Sequence, residues 1–146
     1  MDPIPADTGP IRIAAALIDD GDGRLLLVRK ARTEAFMQAG GKIELGEHPE
    51  AALRRELAEE LNWVLEDATP VYLGAFAAPA ANEPGRRVEA EVYGLTARGD
   101  LAPAAELAEA VWVDPEAARA LVLAPLTRDH ILPLFERLAT APSTSA

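Results

Sequence analysis

Six carboxylates lie between Glu44 and Glu60, and the last three of them, Glu56, Glu59 and Glu60, share one face of a segment, which also holds Glu50, that reads as one amphipathic helix from Pro49 to Leu61. Pro49 suits the first helical position, His48 stands where an N-cap would, and Asn62 can take the left-handed conformation that ends a helix. At about 100° per residue, Glu59 and Glu60 fall within about 60° on either side of Glu56. Leu53, Leu57, Leu61 and Val64 cluster about 100° around from the centre of that acidic patch, so the glutamates border the core stripe instead of opposing it. Like charges three and four residues apart cost a bare helix roughly a few tenths of a kcal/mol per pair. A hard divalent cation offers relief, because Mg²⁺ takes oxygen ligands and is commonly held by one or two carboxylates together with substrate phosphates. The plainer reading is a solvated acidic face partnered by Arg54 and Arg55. The residues ahead of the helix decide between the two.

Around this segment the pattern is that of a single mixed core. Ile11 to Ile18 and Arg24 to Arg29 read as strands about the turn Asp20-Gly21-Asp22-Gly23, which makes a hairpin. Val71 to Phe76 and Arg87 to Thr96 read as a second strand pair joined by a loop from Ala77 to Arg86. Ala110 to Val113 is a short strand, Asp114-Pro115-Glu116 opens a helix, and Asp129 to Leu138 is a final amphipathic helix. Hairpin-paired strands mixed with helices place the chain in the α/β (α+β) class. The expected boundaries are a flexible tail over 1–9, one domain over 10–140 and a second tail over 141–146.

Charge and composition exclude several functions. The formal net charge of −10 repels nucleic acid backbones and anionic membranes, so the chain is expected to bind neither. A small phosphorylated substrate stays open, provided divalent cations neutralise the site. With no cysteine, disulfides, thiolate metal sites and a cysteine nucleophile are ruled out. No apolar run approaches the ~20 residues of a membrane span. The first residues, Met1 to Ala6, lack the basic start and apolar centre of a secretory signal, and a cytoplasmic location is expected.

Gly41-Lys42-Ile43-Glu44-Leu45-Gly46-Glu47, seven further residues, and then Arg55-Glu56-Leu57-Ala58-Glu59-Glu60-Leu61-Asn62-Trp63 resemble the Nudix box. That family pattern is Gly-x5-Glu-x7-Arg-Glu-U-x-Glu-Glu-x-Gly-U, with U a bulky aliphatic residue. Gly41, Glu47, Arg55, Glu56, Leu57, Glu59 and Glu60 match it in type and register. Asn62 stands in place of the helix-ending glycine and Trp63 in place of an aliphatic. Asparagine is the next residue after glycine to tolerate a left-handed position, and a tryptophan can bury its ring. Neither change touches a carboxylate. The hairpin before the box, and the tryptophan strand with its acidic lead-in after it (Glu106, Glu109, Trp112), are similar to MutT-like members of the family.

The resemblance implies a Nudix fold, a mixed β-sheet sandwiched between helices with the box as a loop–helix–loop. It implies a Mg²⁺- or Mn²⁺-dependent hydrolase that cleaves a diphosphate linkage in a nucleoside diphosphate derivative. Glu56, Glu59 and Glu60 would hold the metal, joined by the backbone carbonyl of Gly40. Arg55 would orient a carboxylate, with Glu47 as its partner. Metal ions would neutralise the diphosphate oxygens and acidify the attacking water, whose proton Glu59 or Glu56 would accept. For a ligand from outside the box, Glu109 and Glu106 are the candidates by position before Trp112, with Glu89 and Glu91 as alternatives. Nucleoside triphosphates, ADP-ribose, nucleotide sugars and dinucleoside polyphosphates all fit the class. Homodimers are common in the family, though no pattern here locates an interface. The rival from another class is a non-catalytic nucleotide-sensing domain. A prenyl diphosphate isomerase of this fold would rely on a cysteine that the chain lacks.

Near the box entrance, Lys42 and Arg29 are placed to meet phosphate oxygens, with a plain surface role as the alternative for each. Phe36, Tyr72, Phe76 and Tyr93 read as core in preference to base-stacking platforms, and Phe36, just ahead of Gly40-Gly41, has the best claim among them to touch a base. His130 reads as structural. Long loops in compact domains are often functional, so the segment from Ala78 to Arg86 reads either as a lid or specificity loop acting through Asn82 and Arg86 or as a disordered surface turn.

Overall fold

The computed structural model describes residues 9–66, 68–99 and 101–140. The tails expected at 1–9 and 141–146 therefore lie, Gly9 apart, outside the described residues. Strand β1 (Ile11–Asp19) is the spine of a six-stranded mixed sheet. Its run from Ala14 to Ile18 is buried throughout, as expected of a strand covered on both faces. One edge of β1 pairs in parallel with β5 (Arg87–Thr96), from Ile11↔Val88 to Asp19↔Thr96. Its other edge is shared. The first half pairs with β3 (Ala39–Lys42) from Ile13↔Lys42 to Ala16↔Ala39, and β2 (Leu25–Lys30) meets it at Asp19↔Leu25. β4 (Val71–Pro79) and β6 (Leu107–Val113) form the outer strands, antiparallel to β5 and β2.

Helix α1 (Pro49–Leu61) covers one face of this sheet, packing Leu53, Leu57 and Leu61 against Ala14, Ala16, Ile18, Leu26 and Val28. Each buried leucine contributes about 1.5–3 kcal/mol, which outweighs the repulsion among the helix's glutamates. His48 caps the helix by accepting from the Glu50 N–H at 3.1 Å, and Asn62 ends it at φ 52°, ψ 33°. On the opposite face lie α2 (Pro115–Arg119), a π-helical turn over Thr127–Ile131 and α3 (Leu132–Thr140), whose Ile131, Leu132 and Phe135 pack against Leu17, Leu25 and Val92. The sheet thus sits between helices. No helix of the described residues is long and apolar enough to cross a membrane.

Several boundaries depart from those read in the sequence. β3 has no strand signal in its Ala-Gly-Gly-Lys sequence; it is extended because β1 offers it an unpaired edge. The loop expected from Ala77 shrinks to 80–86, because β4 continues to Pro79, which pairs with Arg87. The last helical segment starts at Thr127 with a π turn, two residues ahead of the expected Asp129. Val64, assigned to the apolar stripe, is exposed, because the left-handed Asn62 turns the chain off the helix axis first. Tyr72 is also exposed, its hydroxyl donating to Glu91, while Tyr93 is core.

Candidate active site

The helix delivers Glu56, Glu59 and Glu60 at three depths. Glu59 is exposed and makes no hydrogen bond or ion pair among the described residues. Glu56 is half-buried and Glu60 is only 3% exposed. Both deeper side chains converge on the edge of β3. The Gly40 N–H, which faces away from β1, donates to Glu60 Oε1 at 3.0 Å. At Gly41 an added Cβ would lie 2.4 Å from the Glu56 carboxyl carbon, so only glycine lets that carboxylate approach the backbone. Gly40 is constrained too: its φ is 142°, and a Cβ there would meet the Ala14 carbonyl oxygen at 2.1 Å. The glycine pair therefore thins the strand where two carboxylates dock.

Arg55 ties the loop before the helix to the helix itself. Its Nε and Nη2 donate to the two oxygens of Glu47 at 3.0 and 2.8 Å, a bidentate pair. Nη1 donates to Glu56 at 2.9 Å and Nη2 also to the Lys42 carbonyl at 3.1 Å. Glu47 also accepts from the Glu44 N–H at 3.0 Å. These donors, Arg55 foremost, hold the Glu47 carboxyl down at about 2. Glu60 behaves in the opposite way. Burial pushes its carboxyl up to about 7 against the pull of the Gly40 N–H, with the negative charge of Glu56 adding to the rise. Burial likewise raises Glu56, partly offset by Arg55.

Of the candidates outside the helix, Glu106 is the one whose charge acts on both Glu56 and Glu60. The Ala104 N–H bonds the Glu60 carbonyl at 2.7 Å, which brings the strand's lead-in to the end of α1. Glu109 turns instead to Arg29, accepting from Nε at 2.8 Å and pairing with Nη2 at 2.6 Å. Glu106 itself pairs with Lys30 at 3.5 Å. Glu91 is engaged by Tyr72, and Glu89 is exposed on β5. Arg29 is occupied by Glu109 and the Thr33 carbonyl.

The oxygens that gather here, carboxylates and the diglycine backbone, are the donor set of a hard divalent cation. Among the described residues no three acidic or histidine side chains are yet drawn together around one point. Arg55 holds Glu56 and the Gly40 N–H holds Glu60, so a cation would exchange those bonds for its own.

Beside the diglycine edge opens a cleft of about 160 Å³, between β1, β3, the 80–86 loop and the π turn. Lys42 and Asn82 line it. Lys42 reaches Glu83 across its mouth at 3.7 Å. Arg86 is tied to Glu83 at 3.1 Å and to the Gly9 carbonyl at 2.7 Å, which holds it in the base of its own loop and off the cleft. Phe36 is in the core beneath α3 and does not reach the cleft. Two cleft residues drew no notice in the sequence, Gln38 and Thr127. Gln38 follows no periodic pattern, and Thr127 sits ahead of the expected helix.

A family model described as the NUDIX domain matches residues 9–135. The chain is 39% identical over 62 residues to an 8-oxo-dGTP diphosphatase of Haemophilus influenzae, a match that covers 40% of this chain and 46% of that enzyme, less than half its length. The solution structure of the E. coli ORF135 protein is similar over 99% of this chain and 100% of that one, with a TM-score of 0.70 and 31% identity. A MutT protein of Methanosarcina mazei shares the fold at a TM-score of 0.74 over 92% of this chain and 99% of that one, with 21% identity.

Proposed function

The chain belongs to the Nudix family, and on that premise we propose that it hydrolyses a diphosphate linkage in a nucleotide, with a nucleoside triphosphate as the favoured substrate class. The observation that carries the reading is the convergence of Glu56 and Glu60 on the Gly40–Gly41 edge, directly beside a cleft large enough for part of a nucleotide. The similarity to an 8-oxo-dGTP diphosphatase supports a purine triphosphate among the candidates.

In this reading Glu56, Glu59, Glu60 and Glu106, with the Gly40 carbonyl, would hold Mg²⁺ or Mn²⁺, which when bound would supply charge neutralisation on the diphosphate oxygens and a lowered pKa for the attacking water. Arg55 fixes Glu47 through two parallel bonds and keeps Glu56 beside the site, ready to be taken over by a cation. Glu59, exposed and unpaired among the described residues, is the carboxylate best placed to accept a proton. Lys42, at the mouth of the cleft, exchanges Glu83 for a substrate phosphate.

The test is incubation with nucleoside triphosphates, ADP-ribose, nucleotide sugars and dinucleoside polyphosphates, with and without Mg²⁺, followed by product identification. Metal-dependent release of a nucleoside monophosphate supports the reading. A nucleotide that raises the melting temperature and is never cleaved favours a nucleotide-sensing domain instead.

A further inference from the structure

Gln38 has a polar group that the acidic site does not use. It lies immediately before β3, two positions ahead of Gly40, is 7% exposed and lines the cleft. Its Oε1 accepts from Thr127 Oγ1 at 2.7 Å, and Thr127 is fully buried at the start of the π turn. With the carbonyl end anchored, the amide end is fixed in direction. Nε2 is buried and has no hydrogen-bond partner among the described residues. A buried donor left unmatched is a standing cost, and polar groups in cores almost always find partners. π turns, moreover, concentrate at functional sites.

The surroundings say what the partner looks like. Ile11, Ile13, Val88 and Leu126 give the cleft apolar walls, and Gln38 stands in its lining beside them. A cleft with apolar walls and an unmatched buried amide donor in its lining suits a flat heterocycle that presents an acceptor. Gln38 and Gly40 are two residue steps apart, about 7 Å in extended chain, which places such a ring beside the diphosphate site.

We propose that Gln38, oriented by Thr127, recognises a keto oxygen on the nucleobase of the substrate. The inference rests on the diphosphate-cleaving reading of the neighbouring carboxylates. An amide N–H faces a keto oxygen as donor to acceptor. An exocyclic amino group at the same position sets donor against donor and leaves both unmatched. The protein accordingly prefers the 6-keto purine to the 6-amino purine, and the 4-keto pyrimidine to the 4-amino one.

The experiment measures kcat/KM with Mg²⁺ for ITP against ATP and for UTP against CTP, in the wild type and in Gln38→Leu, Gln38→Glu, Thr127→Val and Thr127→Ser. Binding of the four corresponding monophosphates is followed by NMR in parallel. The wild type is expected to favour the keto member by roughly tenfold or more. Gln38→Leu brings each ratio to near unity, Gln38→Glu favours the amino member, and Thr127→Val weakens discrimination that Thr127→Ser retains. Gln38→Glu also keeps the test alive if Gln38→Leu fails to fold, since it preserves the Thr127 bond. Cleavage with no keto preference, or with a preference unchanged in Gln38→Leu, overturns the inference and leaves hydrolysis standing. Keto-selective monophosphate binding that depends on Gln38, with no cleavage of any triphosphate, upholds the inference and removes the hydrolytic reading. Absence of both binding and cleavage overturns both.

Discussion

The carboxylate of Glu56 lies so close to Gly41 that a Cβ added there would sit 2.4 Å from its carboxyl carbon. Gly41→Ala is therefore expected to push Glu56 away from the strand edge while leaving the sheet pairing to β1 intact. A displacement of about 1 Å at such a site costs on the order of 100-fold in rate. Steady-state kinetics should show that loss in kcat/KM, with a melting temperature within a few degrees of wild type. Wild-type activity in Gly41→Ala would mean that Glu56 has no need of its present position.

Arg55 is expected to resist conservative replacement. It engages Glu47 through two nitrogens and Glu56 and the Lys42 carbonyl as well. A lysine supplies a point charge on a flexible stem and cannot reproduce that planar fork. Arg55→Lys should lose about 1–3 kcal/mol of stability in denaturant titration, the range of charge-assisted bonds, and most of its activity. Recovery of near-wild-type values by lysine would reduce Arg55 to a simple charge.

The metal-free protein is expected to lose stability as pH rises from about 4.5 to 7. Burial lifts the Glu60 carboxyl from 4.5 to about 7, so the folded state binds its proton more tightly than the unfolded chain does. That contribution is complete below 4.5 and disappears as pH climbs through 7, amounting to at most about 3 kcal/mol. Glu47 works in the other direction: it is held at about 2 by Arg55, and its contribution is present above 4.5 and lost as pH falls toward 2. Urea unfolding in EDTA should show the decline between pH 5 and 7. Mg²⁺ or Glu60→Gln should flatten it. A flat profile in EDTA would contradict the burial argument.

How far these features could be read in advance depended on the range of the forces behind them. Helix α1 was legible to the residue, because Pro49, the Leu53–Leu57–Leu61 spacing and Asn62 are local signals. The acidic face was legible for the same reason, and the box supplied the Glu47 partner of Arg55. β3 was not, since its two glycines oppose strand formation and only the free edge of β1 extends them. The choice of Glu106 over Glu109 depends on which side chain Arg29 captures across the sheet. Gln38 and Thr127 meet across a separation of 89 residues, a contact that no local pattern announces.

Asn62 provides a control away from the chemistry. Its φ of 52° is a conformation that glycine adopts freely and alanine does not. Asn62→Ala should destabilise the protein by about 1 kcal/mol and Asn62→Gly should leave it within a few tenths. Neither should change kcat. A fall in kcat with either variant, at unchanged fold, would tie the helix end to catalysis.

The central claim is that the glutamates of α1 act together through a divalent cation. The direct measurement is the Mg²⁺ dependence of turnover on the best nucleotide for wild type, Glu56→Gln and Glu59→Gln, each checked for folding by its melting temperature. The account predicts no turnover in EDTA, saturable activation by Mg²⁺, and a loss of roughly 10²-fold or more in each folded variant. Turnover that persists in EDTA, or that survives in both variants at the wild-type rate, would contradict it.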